Sequence, residues 1–137
     1  MNKLNHSIYP LTAPKPILAA PLKKGDTIGI IAPAGPVRNE SDFSAGLKIL
    51  SELGFKTRYR HDILRHHDYL AGTDQVRLAE LHELWRDPEV KAILAVRGGY
   101  GCLRLLPGLD FALIREQPKI LIGFSDLTVL LSAIRQK

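Results

Sequence analysis

Residues 119–134 read KILIGFSDLTVLLSAI. The stretch opens with an apolar run, Ile120-Leu121-Ile122, suited to a strand buried on both faces. It breaks at Gly123 and resumes with Leu127, Leu130, Leu131 and Ile134, the spacing of one helix face. Ser125 therefore falls in the crossing from strand to helix. In an open parallel sheet, the carboxyl ends of the strands are where ligands bind. Two readings of Ser125 follow. It can be an N-cap whose side chain accepts from the N–H of Leu127 or Thr128. It can also be a nucleophile pushed outward on a tight turn, with the N–H groups opening the helix stabilising an oxyanion. The string departs from the usual nucleophile elbow G-x-S-x-G, because Leu127 stands at the second glycine.

Upstream, the same alternation recurs. Residues 27–32 (TIGIIA) and 90–96 (VKAILAV) are apolar enough to be central strands, and 56–59 (KTRY) is a short, polar strand suited to an edge. Phe43, Leu47, Leu50 and Leu53 mark a helix capped near Asn39 or Ser41 and closed by Gly54. Val76, Leu78, Leu81, Leu84 and Trp85 mark another, with Thr73 as N-cap and Asp87-Pro88 as its stop. A short helix is expected around 102–106 and a helical turn near 111–115. Residues 61–72 read as an irregular loop, and 1–21, with Pro10, Pro14, Pro16 and Pro21, as an extended arm ahead of one domain spanning 22–137. The rhythm βαβαβαβα predicts an α/β fold: an open, mostly parallel sheet flanked by helices in three layers. Turns at 33–36, 97–101 and 123–126 follow three apolar strands and should gather along one sheet edge.

Composition narrows the function classes. The 137 residues are 45% hydrophobic and 24% charged, as in ordinary globular domains, and the net charge of +5 is scattered rather than blocked. With few aromatic residues to stack on bases, nucleic-acid binding is not expected. No segment approaches the roughly 18–20 apolar residues that span a bilayer, so a membrane is not expected either. The single cysteine, Cys102, rules out an intramolecular disulfide and fits a reducing, cytoplasmic compartment.

The chemistry-bearing residues divide unevenly. Gly98, Gly99 and Gly101 permit positive φ, so the 97–101 turn can present N–H groups to an oxyanion or carboxylate, with Arg97 as a nearby charge. Neither G-x-G-x-x-G nor a Walker lysine is present for a phosphate. Cys102, followed by Leu103, Leu105 and Leu106, reads as a small core residue rather than a nucleophile. His61, His66 and His67, with Asp62 and Asp68, match no zinc spacing and read as a solvated loop; no metal is expected. His6 lies in the arm and His82 on a polar helix face. A serine nucleophile needs a base, and no histidine follows Ser125.

Four strings in series resemble the serine LD-carboxypeptidases, the muramoyltetrapeptide carboxypeptidase family that includes the microcin C immunity carboxypeptidases. They are LKKGDTIGIIAPAGPV (22–37), YLAGTDQVRLAEL (69–81), DPEVKAILAVRGGYG (87–101) and KILIGFSDLTVLL (119–131). The resemblance implies a flavodoxin-like or class I glutamine-amidotransferase-like sheet, with Ser125 as nucleophile. It implies an oxyanion hole of the Asp126 N–H and a glycine N–H, from Gly98 or Gly99, with Gly99 favoured. Arg97, Gly98, Tyr100 and Gly101 would then contact substrate. The implied reaction is cleavage of the amide to the terminal D-alanine of cytoplasmic murein tetrapeptide in cell-wall recycling, without metal or organic cofactor. The family's Glu and His come from a C-terminal domain, so this chain resembles only the N-terminal domain and is expected to be inactive by itself. The apolar surface that such a domain would cover is expected to drive homodimerisation or higher self-association. Two other readings remain: a non-catalytic peptide- or carboxylate-binding module, and an anion- or nucleotide-binding domain using the 98–101 turn.

Overall fold

The computed structural model describes residues 16–136. Most of the expected arm, residues 1–15 with His6, lies outside the described residues; 16–21 carry no regular secondary structure. Four strands follow: β1 (Thr27–Ile31), β2 (Lys56–Arg58), β3 (Val90–Ala95) and β4 (Ile120–Ile122). Four helices alternate with them: α1 (Glu40–Glu52), α2 (Asp74–Arg86), α3 (Phe111–Glu116) and α4 (Thr128–Arg135). Short 3₁₀ helices occupy Cys102–Gly108 and Ser125–Leu127.

The local signals act where they stand. Asn39 caps α1 by accepting from Ser41 N–H at 2.9 Å, and Thr73 caps α2 by accepting from Val76 N–H at 3.3 Å. Gly54, at φ 91, turns the chain from α1 into β2. Strand β1 is buried at every position, as its apolar run requires, whereas β2 alternates exposed and half-buried residues at an edge.

The sheet is wholly parallel in the order β2-β1-β3-β4, with Ile30 beside Leu94 and Leu94 beside Ile122. Side chains alternate across it. On one face Ile31 and Ile93 pack with Leu81, Leu84, Trp85, Leu105 and Leu130, contributed by α2, the 102–108 helix and α4. On the other, Ile28, Ile30 and Ala92 meet α1 through Phe43, Leu47 and Leu50, with Leu22 and Phe55 beside it. The architecture is thus α/β in three layers, but unevenly covered: no residue of α1 is fully buried.

Helix α2 carries a feature beyond its apolar stripe. Arg77 and Glu80 lie on the same face as Leu81 and Leu84, and both are fully buried. Glu80 accepts from the Ala32 backbone N–H at 2.9 Å and pairs bidentately with Arg65 at 3.0 and 3.1 Å. Taking that N–H out of the ladder explains why β1 ends at Ile31 rather than at the expected Ala32. Arg77 donates to the carbonyls of Gly72, Pro33 and Gly101 and pairs with Asp74. His82, expected on a polar face, is instead half-buried: its Nε2 accepts from Asp110 N–H at 3.1 Å, and burial, followed by Arg86, holds its pKa below 6.5.

Removing one partner of a buried ion pair leaves the other charge without compensation. Glu80→Ala is expected to destabilise the chain by about 3–5 kcal/mol in urea unfolding. Glu83→Ala, on the exposed face, should stay within about 0.5 kcal/mol. Equal effects would show that the Glu80 contacts carry no such weight.

Candidate active site

Strands β1, β3 and β4 are adjacent, so the turns that follow them meet at one edge. The chain arrives at Phe124 in extended conformation and enters a 3₁₀ turn at Ser125, whose φ of 59° is left-handed. Few residues other than glycine adopt that region, at a cost of about 1–2 kcal/mol. The surroundings impose it. Leu127 is fully buried and folds back over Gly123, where an added Cβ would sit 1.8 Å from Leu127 Cδ2. The elbow's missing second glycine is thereby explained: at this turn the first glycine makes room for the leucine.

The N-cap reading of Ser125 does not hold. No side chain caps either the 125–127 helix or α4, and α4 starts only at Thr128. Among the described residues the Ser125 hydroxyl makes no hydrogen bond, and the residue is exposed.

The glycine turn is pressed against this serine. An added Cβ on Gly98 would lie 2.8 Å from Ser125 Cβ and 3.1 Å from its Oγ. Gly99, at φ 140, packs so closely on residues 33–36 that a Cβ there would sit 2.9 Å from Gly35 N. Gly35 N–H donates to the Gly98 carbonyl at 3.3 Å. Because C=O and N–H of one trans peptide point in opposite directions, the Gly99 N–H faces away from the 33–36 loop. Arg97 lies over that loop, donating to Pro36 O at 3.3 Å, and has no carboxylate partner among the described residues.

The remaining expected residues separate into those behind the turn and those outside it. Gly101 is buried at φ 111, its carbonyl on Arg77 at 3.1 Å. Tyr100 is exposed and tilts against Tyr69, ring centroids 5.7 Å apart. The Asp126 carboxylate turns away from Ser125 and accepts from Cys102 N–H at 2.9 Å. Cys102 is buried and its thiol is pushed up to about 12, first by burial and then by Asp126, so it is a core residue and no nucleophile at neutral pH. His61, His66 and His67 are exposed on their loop. Sequence reasoning singled out neither Arg77 nor Glu80. The available signal was two opposite charges spaced i, i+3 on a helix face otherwise apolar.

The family profile of the LD-carboxypeptidase N-terminal domain matches residues 28–137. The chain belongs to the LD-carboxypeptidase family. It is 49% identical over 115 residues to the probable murein peptide carboxypeptidase of Bacillus subtilis, covering 84% of this chain and 36% of that protein. It superposes on the microcin C7 self-immunity protein MccF in complex with aspartyl sulfamoyl adenosine with a TM-score of 0.84 at 39% identity, covering 87% of this chain and 36% of the other. It also superposes on the muramoyltetrapeptide carboxypeptidase of Oxalobacter formigenes, with a TM-score of 0.72 at 36% identity and covering 79% of this chain and 36% of the other. This LD-carboxypeptidase chain therefore spans about a third of the length of these relatives.

The left-handed backbone at residue 125 should be measurable as strain. Ser125→Gly is expected to raise unfolding stability by about 1 kcal/mol, and Ser125→Ala to raise it not at all. A glycine variant no more stable than the alanine variant would mean that residue 125 is unstrained.

Proposed function

We propose that this chain is the nucleophile-bearing part of an LD-carboxypeptidase that cleaves the amide to the terminal D-alanine of murein tetrapeptide. The observation that carries the proposal is Ser125: strained in its backbone, exposed, with a hydroxyl that makes no hydrogen bond among the described residues, and seated against Gly98. Ser125 Oγ attacks the scissile carbonyl, and the N–H groups of Asp126 and Gly99 receive the oxyanion. Arg97, whose guanidinium is uncommitted to any carboxylate nearby, binds the substrate's terminal carboxylate. Gly98 leaves room for the scissile bond, and Tyr100 stands at the mouth. A base must take the Ser125 proton, transfer it to the leaving amine, and then activate the water that resolves the acyl-enzyme. His82 is engaged with Asp110, and the family resemblance implies a base and its carboxylate from a C-terminal part.

The test follows from that division. The 137-residue chain by itself should release no D-alanine from murein tetrapeptide. Fused to the C-terminal two-thirds of the Bacillus subtilis relative, it should release D-alanine, and Ser125→Ala should lower the rate by at least about 10⁴-fold. Turnover by the chain alone, or a fusion indifferent to Ser125→Ala, would overturn the proposal. The likeness to MccF favours a second substrate, an aminoacyl sulfamoyl nucleoside; if this is the better substrate of the fusion, the tetrapeptide assignment falls and the mechanism stands.

The unevenly covered sheet supports docking of further polypeptide on the α1 side. A groove of about 510 Å³ runs there between α1 and the sheet, floored by Ile30, Leu94 and Val96 and reaching Arg97 and Phe124. Phe124 is 69% exposed and Ile122 38%. Among the described residues strand β4 is an unpaired sheet edge without proline, charge or bulge to blunt it. In isolation the chain should therefore self-associate, and sedimentation equilibrium should show a dimer or larger species. A monomer at high concentration would contradict this.

A further inference from the structure

We propose that Arg77 and Asp126 are positioning residues that together orient the oxyanion-binding N–H groups, by clamping one peptide bond from both ends. The inference rests on the reading of Ser125 as nucleophile and adds to it two side chains outside the reacting atoms. The clamped unit is the Gly101–Cys102 peptide. Its carbonyl accepts from Arg77 Nη1 at 3.1 Å, and its N–H donates to Asp126 Oδ2 at 2.9 Å. Since the two groups of a trans peptide point in opposite directions, bonds at both ends fix the plane of that peptide.

The 97–101 turn needs such a device. Three of its five residues are glycine, and Gly99 and Gly101 sit at φ 140 and 111. Glycine reaches these angles without steric cost, but it reaches many others as readily; among the described residues the one local restraint is the Arg104 N–H, which donates to the Gly101 carbonyl at 3.2 Å and leaves the direction of the Cys102 N–H to its partner. Selection comes from outside the turn. Arg77 is fully buried and donates also to Pro33 O, in the loop whose Gly35 N–H holds the Gly98 carbonyl. Both ends of the glycine turn are therefore referenced to one guanidinium. Its planar fork serves the Gly72, Pro33 and Gly101 carbonyls and Asp74 at once, which a lysine ammonium on a flexible stem cannot do.

Asp126 closes the arrangement from the other side. Its own N–H is one proposed donor, while its carboxylate holds the turn that bears the second, the Gly99 N–H. The spacing between the two donors is thus set through a single residue. Its carboxylate has no general-base role in this account; what the clamp uses is an acceptor oxygen at that position.

The experiment is amide hydrogen exchange and ¹⁵N–¹H chemical shifts on the 137-residue chain and on Asp126→Ala, Asp126→Asn and Arg77→Lys. In Asp126→Ala the Cys102 amide should lose protection by about tenfold or more. The Gly99 and Gly101 signals should shift or broaden, while the β1 and β3 amides keep their protection. Asp126→Asn retains an acceptor oxygen and should restore the wild-type pattern. Arg77→Lys should move the same turn amides; if that variant does not fold, the two Asp126 variants decide. Unchanged Gly99 and Gly101 signals in Asp126→Ala would overturn the clamp. So would loss of protection across β1 and β3 as well, which would mark a general loss of stability, or an asparagine variant that behaves as the alanine one does. Failure of the nucleophile reading would appear separately, as a fusion indifferent to Ser125→Ala while the amide pattern still responds.

Discussion

The geometry of the carboxyl edge depends on two buried charges, Arg77 and Glu80, set one turn apart on α2. Burying an ion costs several kcal/mol in lost hydration, so such residues persist only where polar partners surround them. Here the partners are largely backbone. Glu80 takes the N–H that β1 leaves unpaired at Ala32, and Arg77 donates to three loop carbonyls, those of Gly72, Pro33 and Gly101. Loops near a sheet edge ordinarily satisfy their backbone with water. At this edge a helix does it, and in doing so converts three flexible connections into one rigid surface.

On that surface the Ser125 turn and the glycine turn require glycine for opposite reasons. Gly123 is small because Leu127 must fold over it, and Gly98 is small because Ser125 must approach it. The first constraint drives residue 125 into left-handed backbone, and the second aims that residue at the neighbouring turn. Strain of this kind survives only when surrounding contacts over-determine it, and Leu127, fully buried beneath the sheet edge, is the contact that does so.

What was legible in the sequence was what is local. Strands β1 and β3 declare themselves by unbroken apolar runs, Asn39 and Thr73 by capping chemistry, and the three turns by glycine and proline following a strand. The meeting of those turns at one edge follows from parallel topology, so Ser125 and the 97–101 turn could be brought together before any coordinates. Other features were not legible because their causes are distant in the chain. Whether Ser125 caps a helix or is forced into a left-handed turn depends on where Leu127 packs. Arg77 and Glu80 look like solvent-facing charges until the carbonyls of residues 33, 72 and 101 and the N–H of Ala32 arrive beside them. His82 likewise appears polar and exposed until α3 begins at its imidazole.

The strand order has a consequence in time. Every ladder in the sheet joins segments separated by a helical crossover, so each pairing must await a long loop closure. During synthesis from the amino terminus, β1, β2 and β3 can associate while residues 120–127 are still being made. Until β4 docks on β3, nothing holds Leu127 over Gly123, and Ser125 is free to occupy ordinary extended or helical backbone like any serine in a nascent chain. The left-handed conformation of Ser125 is therefore acquired only after the β1–β3 core has formed, and a growing chain does not carry it into the crowded surroundings of the ribosome.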